Sequence, residues 1–317
     1  MMQPPLSPAQ RPAASRSLAR VPSLTSLYVQ ALTPRVDTVT RLASRLRRDA
    51  PHATVEHRSL PEVTYVVDGV RGDPVELARY CTVVGAARSE VMPAGYVHVL
   101  AFPVAMALMV SAQFPLPVAG MVHVANSVEV ARPVLVGETL TVAAWARNLA
   151  EHAKGTQVDL VTEVSVQGEV VWRGVSTYLA KGTFLRGRGE VRTPDPFVPP
   201  FPTGSWSLPA SVGRDYAAVS GDRNPIHLSA LTAKPFGFPS AIAHGMYTSA
   251  RALAEAGPLV GDRFRWTVTF AKPVLLPGRV SVAITPHGEG RQGAEYVGWN
   301  PKNGTLHFRG DITALDE

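Results

Sequence analysis

A chain of 317 residues, 45 % hydrophobic and carrying a formal charge of +6, is long enough for one large core or two modest ones. The charge excludes more than it suggests. Residues 1–50 carry eight arginines against Asp37 and Asp49, and the remainder holds 23 basic and 23 acidic side chains, so a nucleic-acid-binding face loses its main support. The single cysteine, Cys81, excludes an internal disulfide and a thiolate metal cluster, and fits a reducing, cytoplasmic setting.

In chain order, residues 1–55 read as a partly disordered tail. Their first 22 positions are rich in Arg, Ser and Pro and lack any acid, as in a transit peptide, but Pro4, Pro5, Pro8, Pro12 and Pro22 oppose the amphipathic helix such peptides form. A short helical turn region follows, then an apolar helix over about 98–112. Its run from Val99 to Val110 is interrupted by Pro103 and falls short of the roughly 20 residues of a membrane span. Alternation then predicts strands over 121–131, 138–148, 155–166 and 169–181. Residues 184–212, with six prolines from Pro194 to Pro209, read as a stiff linker and domain boundary. A second helical turn, a helix over 244–256 and strands over 263–272, 279–287, 292–299 and 304–314 complete the chain.

The order repeats, and so do the residues. Val130-Ala-Arg-Pro-Val-Leu-Val-Gly137 matches Phe270-Ala-Lys-Pro-Val-Leu-Leu-Pro-Gly278, and Tyr80-x-x-Val-x-Gly85 matches Tyr216-x-x-Val-x-Gly221. The offsets, 140 and 136, align Ala105 with Gly245, Ala86 with Asp222, Arg88 with Asn224 and Val91 with His227. Two copies of a helix followed by an antiparallel meander imply an α+β fold with each helix on one sheet face.

Chemistry concentrates in the second copy. Ser220-Gly-Asp-Arg-Asn-Pro-Ile-His227 offers Asp222, Asn224 and His227 within six positions, with Gly221 and Pro225 forcing a turn. A carboxylate beside an imidazole is an acid/base pair, and Asn224 could orient a water. For a lone Asp or His, turn capping would be the better reading; the full set in order reverses that balance. Seventeen residues later, His244-Gly-Met246 opens the apolar helix. Gly245 either lets a ligand carbonyl reach a free helix N–H or allows close helix packing, and His244 reads as structural. His98 and His123 read as core or capping residues. No cluster supports a metal site, and no phosphate loop, dinucleotide fingerprint or nucleophile elbow occurs.

The stretch Tyr216 to His227, followed by Gly237-Phe-Pro-Ser-Ala-Ile-Ala-His-Gly-Met246, resembles the hydratase motif of the MaoC-like dehydratase family, the (R)-specific enoyl-CoA hydratases and 3-hydroxyacyl-thioester dehydratases of fatty-acid metabolism. The resemblance implies a double hotdog, in which a long helix is wrapped by a curved antiparallel sheet twice over. Residues 56–183 would be a hotdog lacking catalytic groups and 213–317 the catalytic one. It further implies Asp222 and His227 as the catalytic pair, Gly245 N–H as enolate stabiliser and Asn224 as support for the water. Ser220, Gly221, Pro225, His244 and Met246 would line the substrate, an acyl thioester of CoA or acyl carrier protein; Lys234 and Arg251 could meet CoA phosphates, but as isolated charges they read better as solvated. Neither metal nor cofactor is implied. The halves would form a pseudo-dimer within one chain, which could itself dimerise. Thioester hydrolysis by a hotdog enzyme and a non-catalytic acyl-binding subunit remain the alternatives.

Overall fold

The computed structural model describes residues 11–32, 59–191, 196–288 and 292–315. Two copies of one unit share a sheet. The first copy runs β2 (Thr64–Val70), α2 (Pro74–Val84), α3 (Ala94–Met109), β3 (Val122–Val130), β4 (Leu140–His152), β5 (Gly155–Val166) and β6 (Glu169–Lys181). The second runs β7 (Gly204–Leu208), α4 (Val212–Ser220), α5 (Ala230–Ala233), α6 (Gly245–Ala256), β8 (Phe264–Phe270), β9 (Gly278–Pro286), β10 (Gly293–Trp299) and β11 (Leu306–Ala314). Ahead of both lie β1 (Ser15–Ser17) and α1 (Leu24–Leu32).

The sheet order is β1-β2-β4-β5-β6-β3-β8-β11-β10-β9-β7. From β2 inward to β3, and from β7 inward to β8, the order is the same. The copies join where β3 pairs antiparallel with β8, Val128 opposite Trp266 and Glu129 opposite Arg265. Helix α3 lies against β2, β4, β5 and β6, and α6 against β8, β10 and β11. This is the α+β, double-hotdog arrangement expected from the sequence.

Local chemistry sets the helix ends. Asp73 caps α2 by accepting from Val75 N at 2.8 Å and Glu76 N at 2.9 Å, with Pro74 in the first turn. Gly85 and Gly221 close α2 and α4 in the left-handed conformation, at φ 75° and 71°, which glycine adopts without a Cβ penalty. These are the two glycines matched in the repeat. Their tyrosine partners meet across the internal axis: the rings of Tyr80 and Tyr216, both buried, lie 6.2 Å apart. Helix α3 buries residues on every face and carries Pro103 in its interior. Proline there forfeits one backbone hydrogen bond, and the tight packing around Ala101, Val104 and Leu108 holds the helix through it.

The structure corrects the repeat register at the long helices. Met92 N donates to Val134 O, and Ala243 N to Val274 O; Val91 bridges Leu135, and Ile242 bridges Leu275. The counterpart of Gly245 is therefore Ala94, not Ala105, and that of Ile242 is Val91, which cannot then stand opposite His227. Between the glycine cap and this bridge the first copy needs only residues 86–90, whereas the second spends 222–241. The Asp222–His227 turn lies in an insertion relative to the first copy. The first copy recovers the length later, in a longer α3 and the segment up to β3, and this compensation hides the insertion in the overall offset.

Two segments differ from their expected roles. Within the linker, Gly204–Leu208 forms β7, an edge strand paired with β9. Trp206 and Leu208 are buried, and Pro202 and Pro209 flank the strand, where proline's missing donor costs nothing. Within the tail, residues 15–17 pair in parallel with β2 and α1 packs on α3; the rest of the tail lies outside the described residues.

On the seam strand β8, Trp266 is fully buried and its Nε1 donates to Tyr296 Oη at 2.9 Å. Replacing Trp266 with Ala removes a large core side chain and leaves the Tyr296 network short of a donor. The expected loss is about 3–5 kcal/mol in denaturant unfolding, and a loss below about 1 kcal/mol would show that the seam does not depend on this residue.

Candidate active site

The inserted segment is built from the end of α4 outward. Ser220 Oγ donates to Tyr216 O at 2.8 Å and accepts from Asp222 N at 3.2 Å, so its hydroxyl is committed within the turn. Gly221 then reverses the chain. Asn224 Oδ1 accepts from Ile226 N at 3.4 Å, capping a single 3-10 turn, Pro225–His227, in which proline occupies the first position. Asn224 Oδ1 is thus engaged in the turn. The turn swings His227 inward against α4. A Cβ on Gly213 would meet the His227 carbonyl oxygen at 2.0 Å, so only glycine permits this approach.

His227 and His244 stack with ring centroids 3.6 Å apart and planes inclined by 24°. His227 Nδ1 lies 2.8 Å from Ile242 O, and His244 Nε2 2.9 Å from Asp222 O. A carbonyl oxygen only accepts, so these two nitrogens carry the protons. That leaves His227 Nε2 and His244 Nδ1 as lone pairs, the latter buried without a partner among the described residues. Burial first, then His244, holds the His227 pKa down to about 3; burial likewise lowers that of His244. Both rings are neutral at physiological pH.

Asp222 has the opposite character. Burial pushes its carboxyl up, but the imidazoles of His244 and His227, the Tyr28 hydroxyl and the Asn224 N–H together hold it below the ordinary carboxylate value. Its two oxygens are used differently. Oδ1 accepts from Tyr28 Oη and from Asn224 N at 3.2 Å, while Oδ2 lies 3.8 Å from His244 Nε2, beyond hydrogen-bond range. One oxygen is held and the other is open to a ligand.

Helix α6 starts at Gly245 with no side-chain cap, so its first N–H groups and the positive end of its dipole are available. A Cβ on Gly245 would meet the Phe270 ring at 2.8 Å; the close-packing reading of this glycine is thus a real contact and coexists with a free N–H. Met246 is buried beside it.

The first copy supplies a wall. The charge of Asp222 acts on His98 of α3, His123 of β3 and Tyr178 of β6. His123 stacks on Tyr178 at 4.6 Å and meets Phe270 edge-on at 5.3 Å. Its Nε2 is buried without a partner among the described residues. Burial lowers the pKa of His98 to about 4 and of His123 to about 3. Sequence reasoning set both histidines aside and missed Tyr28 and Tyr178. Leu24, Leu27, Tyr28 and Ala31 carry the spacing of an amphipathic helix, the signal that could have found the first. Arg251, considered for phosphate contact, is engaged by Glu255 at 3.1 Å and lies over the Trp206 ring; Lys234 is exposed.

Asp222, His227 and His244 place their ligand atoms within 4.8 Å of one another, the spacing of a cation site. The rings argue against a shared ion. Stacked, nearly parallel planes do not aim two lone pairs at one point, and each ring already commits a nitrogen to a carbonyl.

The MaoC-like domain family matches residues 208–299, which include the whole inserted turn and the start of α6. A curated relative, 3-hydroxyacyl-thioester dehydratase X of Mycobacterium tuberculosis, is 38 % identical over 260 residues, 81 % of this chain and 91 % of the relative. The chain belongs to the MaoC-like dehydratase family. As a member it is a hydro-lyase. The crystal structure of HtdX from M. tuberculosis superposes with a TM-score of 0.70 at 35 % identity, covering 80 % of this chain and all of that one. A MaoC-like dehydratase from Phytophthora capsici gives 0.66 at 20 % identity, covering 84 % and 99 %, a likeness of fold.

Buried neutral imidazoles make stability depend on pH. A histidine whose folded pKa lies below its unfolded value near 6.5 leaves the unfolded state binding more protons, so stability is full above about pH 6.5 and falls as pH drops toward the folded value. Replacing His123 with Phe, which keeps a flat ring, should flatten the acid side of the unfolding free energy by up to about 1.4 kcal/mol per pH unit between pH 6 and 4. Chemical denaturation across that range tests it; an unchanged slope would mean His123 is not held neutral.

Proposed function

We propose that this chain catalyses the (R)-specific hydration of trans-2-enoyl thioesters and the reverse dehydration of (3R)-3-hydroxyacyl thioesters, with CoA or acyl carrier protein as carrier. The observation that carries the reading is the pairing of an ionised Asp222, one oxygen open, with a neutral His227 whose Nε2 bears a lone pair. Family membership supports the reaction class, and this pairing supports the roles given to the two residues.

In hydration, Asp222 and His227 hold a water and take one of its protons as its oxygen bonds to C3. The C2=C3 electron pair moves onto the thioester oxygen as an enolate, and a proton returns to C2. Dehydration reverses each step: C2 loses its proton, the enolate forms, and the 3-hydroxyl leaves as water after gaining a proton. The Gly245 N–H at the head of α6 faces the enolate charge, where one such donor contributes about 2.7–4 kcal/mol to the transition state. No metal or cofactor takes part, since base, acid and enolate stabiliser are all protein groups.

A cleft of about 1160 Å³ is lined by Lys272, Arg279 and Lys302, by Phe238 and Leu275 beside the Ile242 bridge, and by no Asp or Glu. Among the described contacts none of the three cations has an ion-pair partner. We assign this cleft to the phosphates of the carrier arm.

Asp222→Asn and His227→Gln are each expected to slow loss of enoyl absorbance with crotonyl-CoA and longer enoyl-CoAs by about 10²–10⁴. Unchanged rates in both, or release of free thiol by the wild type at the rate of enoyl loss, would overturn the reading in favour of acyl binding or hydrolysis.

Reversing two cleft charges, Lys272→Glu with Lys302→Glu, should raise KM for enoyl-CoA about tenfold or more while kcat holds. KM for the same acyl group on N-acetylcysteamine, which lacks phosphates, should not move. An equal change for both thioesters would remove the cleft from carrier recognition.

A further inference from the structure

The contact between α1 and the inserted turn joins two segments 194 positions apart. Tyr28 Oη donates to Asp222 Oδ1, and a carboxylate oxygen can only accept, so the direction is fixed. The helix that brings it is anchored on several sides. Leu18 N donates to Val66 O at 2.8 Å and Thr64 N to Ala14 O at 2.9 Å, fixing the chain just before α1 to β2. Leu24 and Leu27 are buried, and Leu24 Cδ1 would lie 3.0 Å from a Cβ on Gly221, the residue next to Asp222. Gln30 Nε2 donates to Val110 O at 3.4 Å at the end of α3. Tyr28 therefore sits on an element held by the first copy and reaches a carboxylate that belongs to the second. It lies outside residues 208–299, which the family pattern covers.

Oδ1 now has two donors, Tyr28 Oη and Asn224 N, whereas Oδ2 has none among the described residues. A carboxylate free to rotate would present either oxygen. Two donors on Oδ1 stop that rotation and leave Oδ2 as the one able to meet a water or a substrate hydroxyl. They also favour the ionised form, because hydrogen bonds to a carboxylate stabilise the charge. The hydroxyl itself stays protonated, since burial and then the Asp222 charge push its pKa far above the usual tyrosine value. We infer that Tyr28 is a positioning residue for Asp222, holding the carboxylate so that Oδ2 alone is presented to the reaction. The inference rests on the proposed role of Asp222 as a reacting group.

Other groups face the same carboxylate and would remain in a Tyr28 variant: Tyr216 of α4, His227 of the 3-10 turn, His244 at the head of α6 and, across the seam, His98, His123 and Tyr178. The expected effect of losing one donor is therefore partial. Tyr28→Phe keeps the ring and its packing and removes only the hydroxyl. It should lower kcat for enoyl-CoA hydration about ten- to a hundredfold, leave KM within about twofold, and move the acid limb of the pH profile upward by roughly one unit. Leu24→Ala, which loosens the same helix without touching Asp222, should lower the melting temperature and leave that limb in place.

An unmoved acid limb in Tyr28→Phe, or an equal move in Leu24→Ala, overturns the inference. So does a rise in kcat, which would make Tyr28 a plug that substrate must displace. A readout without substrate separates this from failure of the functional reading. In protein labelled with ¹³C at aspartate carboxyls, the resonance lost in Asp222→Asn should titrate at higher pH in Tyr28→Phe than in the wild type. If that shift appears while wild type hydrates no enoyl thioester, the positioning contact stands and the proposed reaction falls. If hydration is normal and the resonance does not move, the contact carries nothing.

Discussion

Pairing of β3 with β8 turns two half-size sheets into one, and the functional geometry follows from where that seam runs. A hotdog unit alone leaves the edge of its sheet and one side of its helix uncovered, and both need a neighbour. Here each copy covers the other. The candidate site lies where they meet: Asp222, His227 and His244 come from the second copy, the aromatic and imidazole wall of His98, His123 and Tyr178 from the first. Glu129 and Arg265 mark the join with a two-pronged ion pair whose distances are 2.7 and 3.0 Å. Being partly exposed, the pair sets register more than it adds stability.

Within that frame burial acts on charge in two directions. It strips protons from four imidazoles, those of His98, His123, His227 and His244, because the lost hydration of each cation outweighs the pull of the Asp222 charge. The same burial should keep Asp222 protonated, and does not, since four neighbours oppose it. A neutral base beside an anion, each in the less hydrated of its possible settings, is an arrangement that water alone would not sustain. The backbone carbonyls of Ile242 and Asp222 complete it by fixing which nitrogen of each ring carries the proton.

Much of the fold was legible in the sequence because period-2 alternation and a repeated Pro-centred motif mark the strands directly; the second-copy strands sit within a residue or two of their expected bounds. The inserted turn was legible as chemistry, since Asp, Asn, Pro and His at that spacing specify a turn regardless of what surrounds it. The register between the long helices was not. Two length changes of opposite sign nearly cancel, and the eye follows the matched motifs past both. Residues 15–32 were obscured for another reason: composition averaged over the tail, with its prolines and arginines, drowned a nine-residue helix whose apolar face is plain once read alone. In β7, prolines on either side of the strand gave the impression of proline throughout. The neutrality of His123 depended on burial among residues of β6, β8 and α3, which no local pattern encodes.

The 222–241 insertion, set against its five-residue counterpart 86–90, has a consequence for how such a chain can change over time. In a symmetric pair of identical hotdogs every substitution is made twice, so a residue that shapes the acyl wall at one site is also a residue of the reacting machinery's own scaffold at the other. A single chain in which only one copy carries the turn breaks that bond. A mutation at His123 or Tyr178 alters the wall of one site without touching a second copy of Asp222 or His227, so the wall can change shape while the inserted turn stays under separate selection.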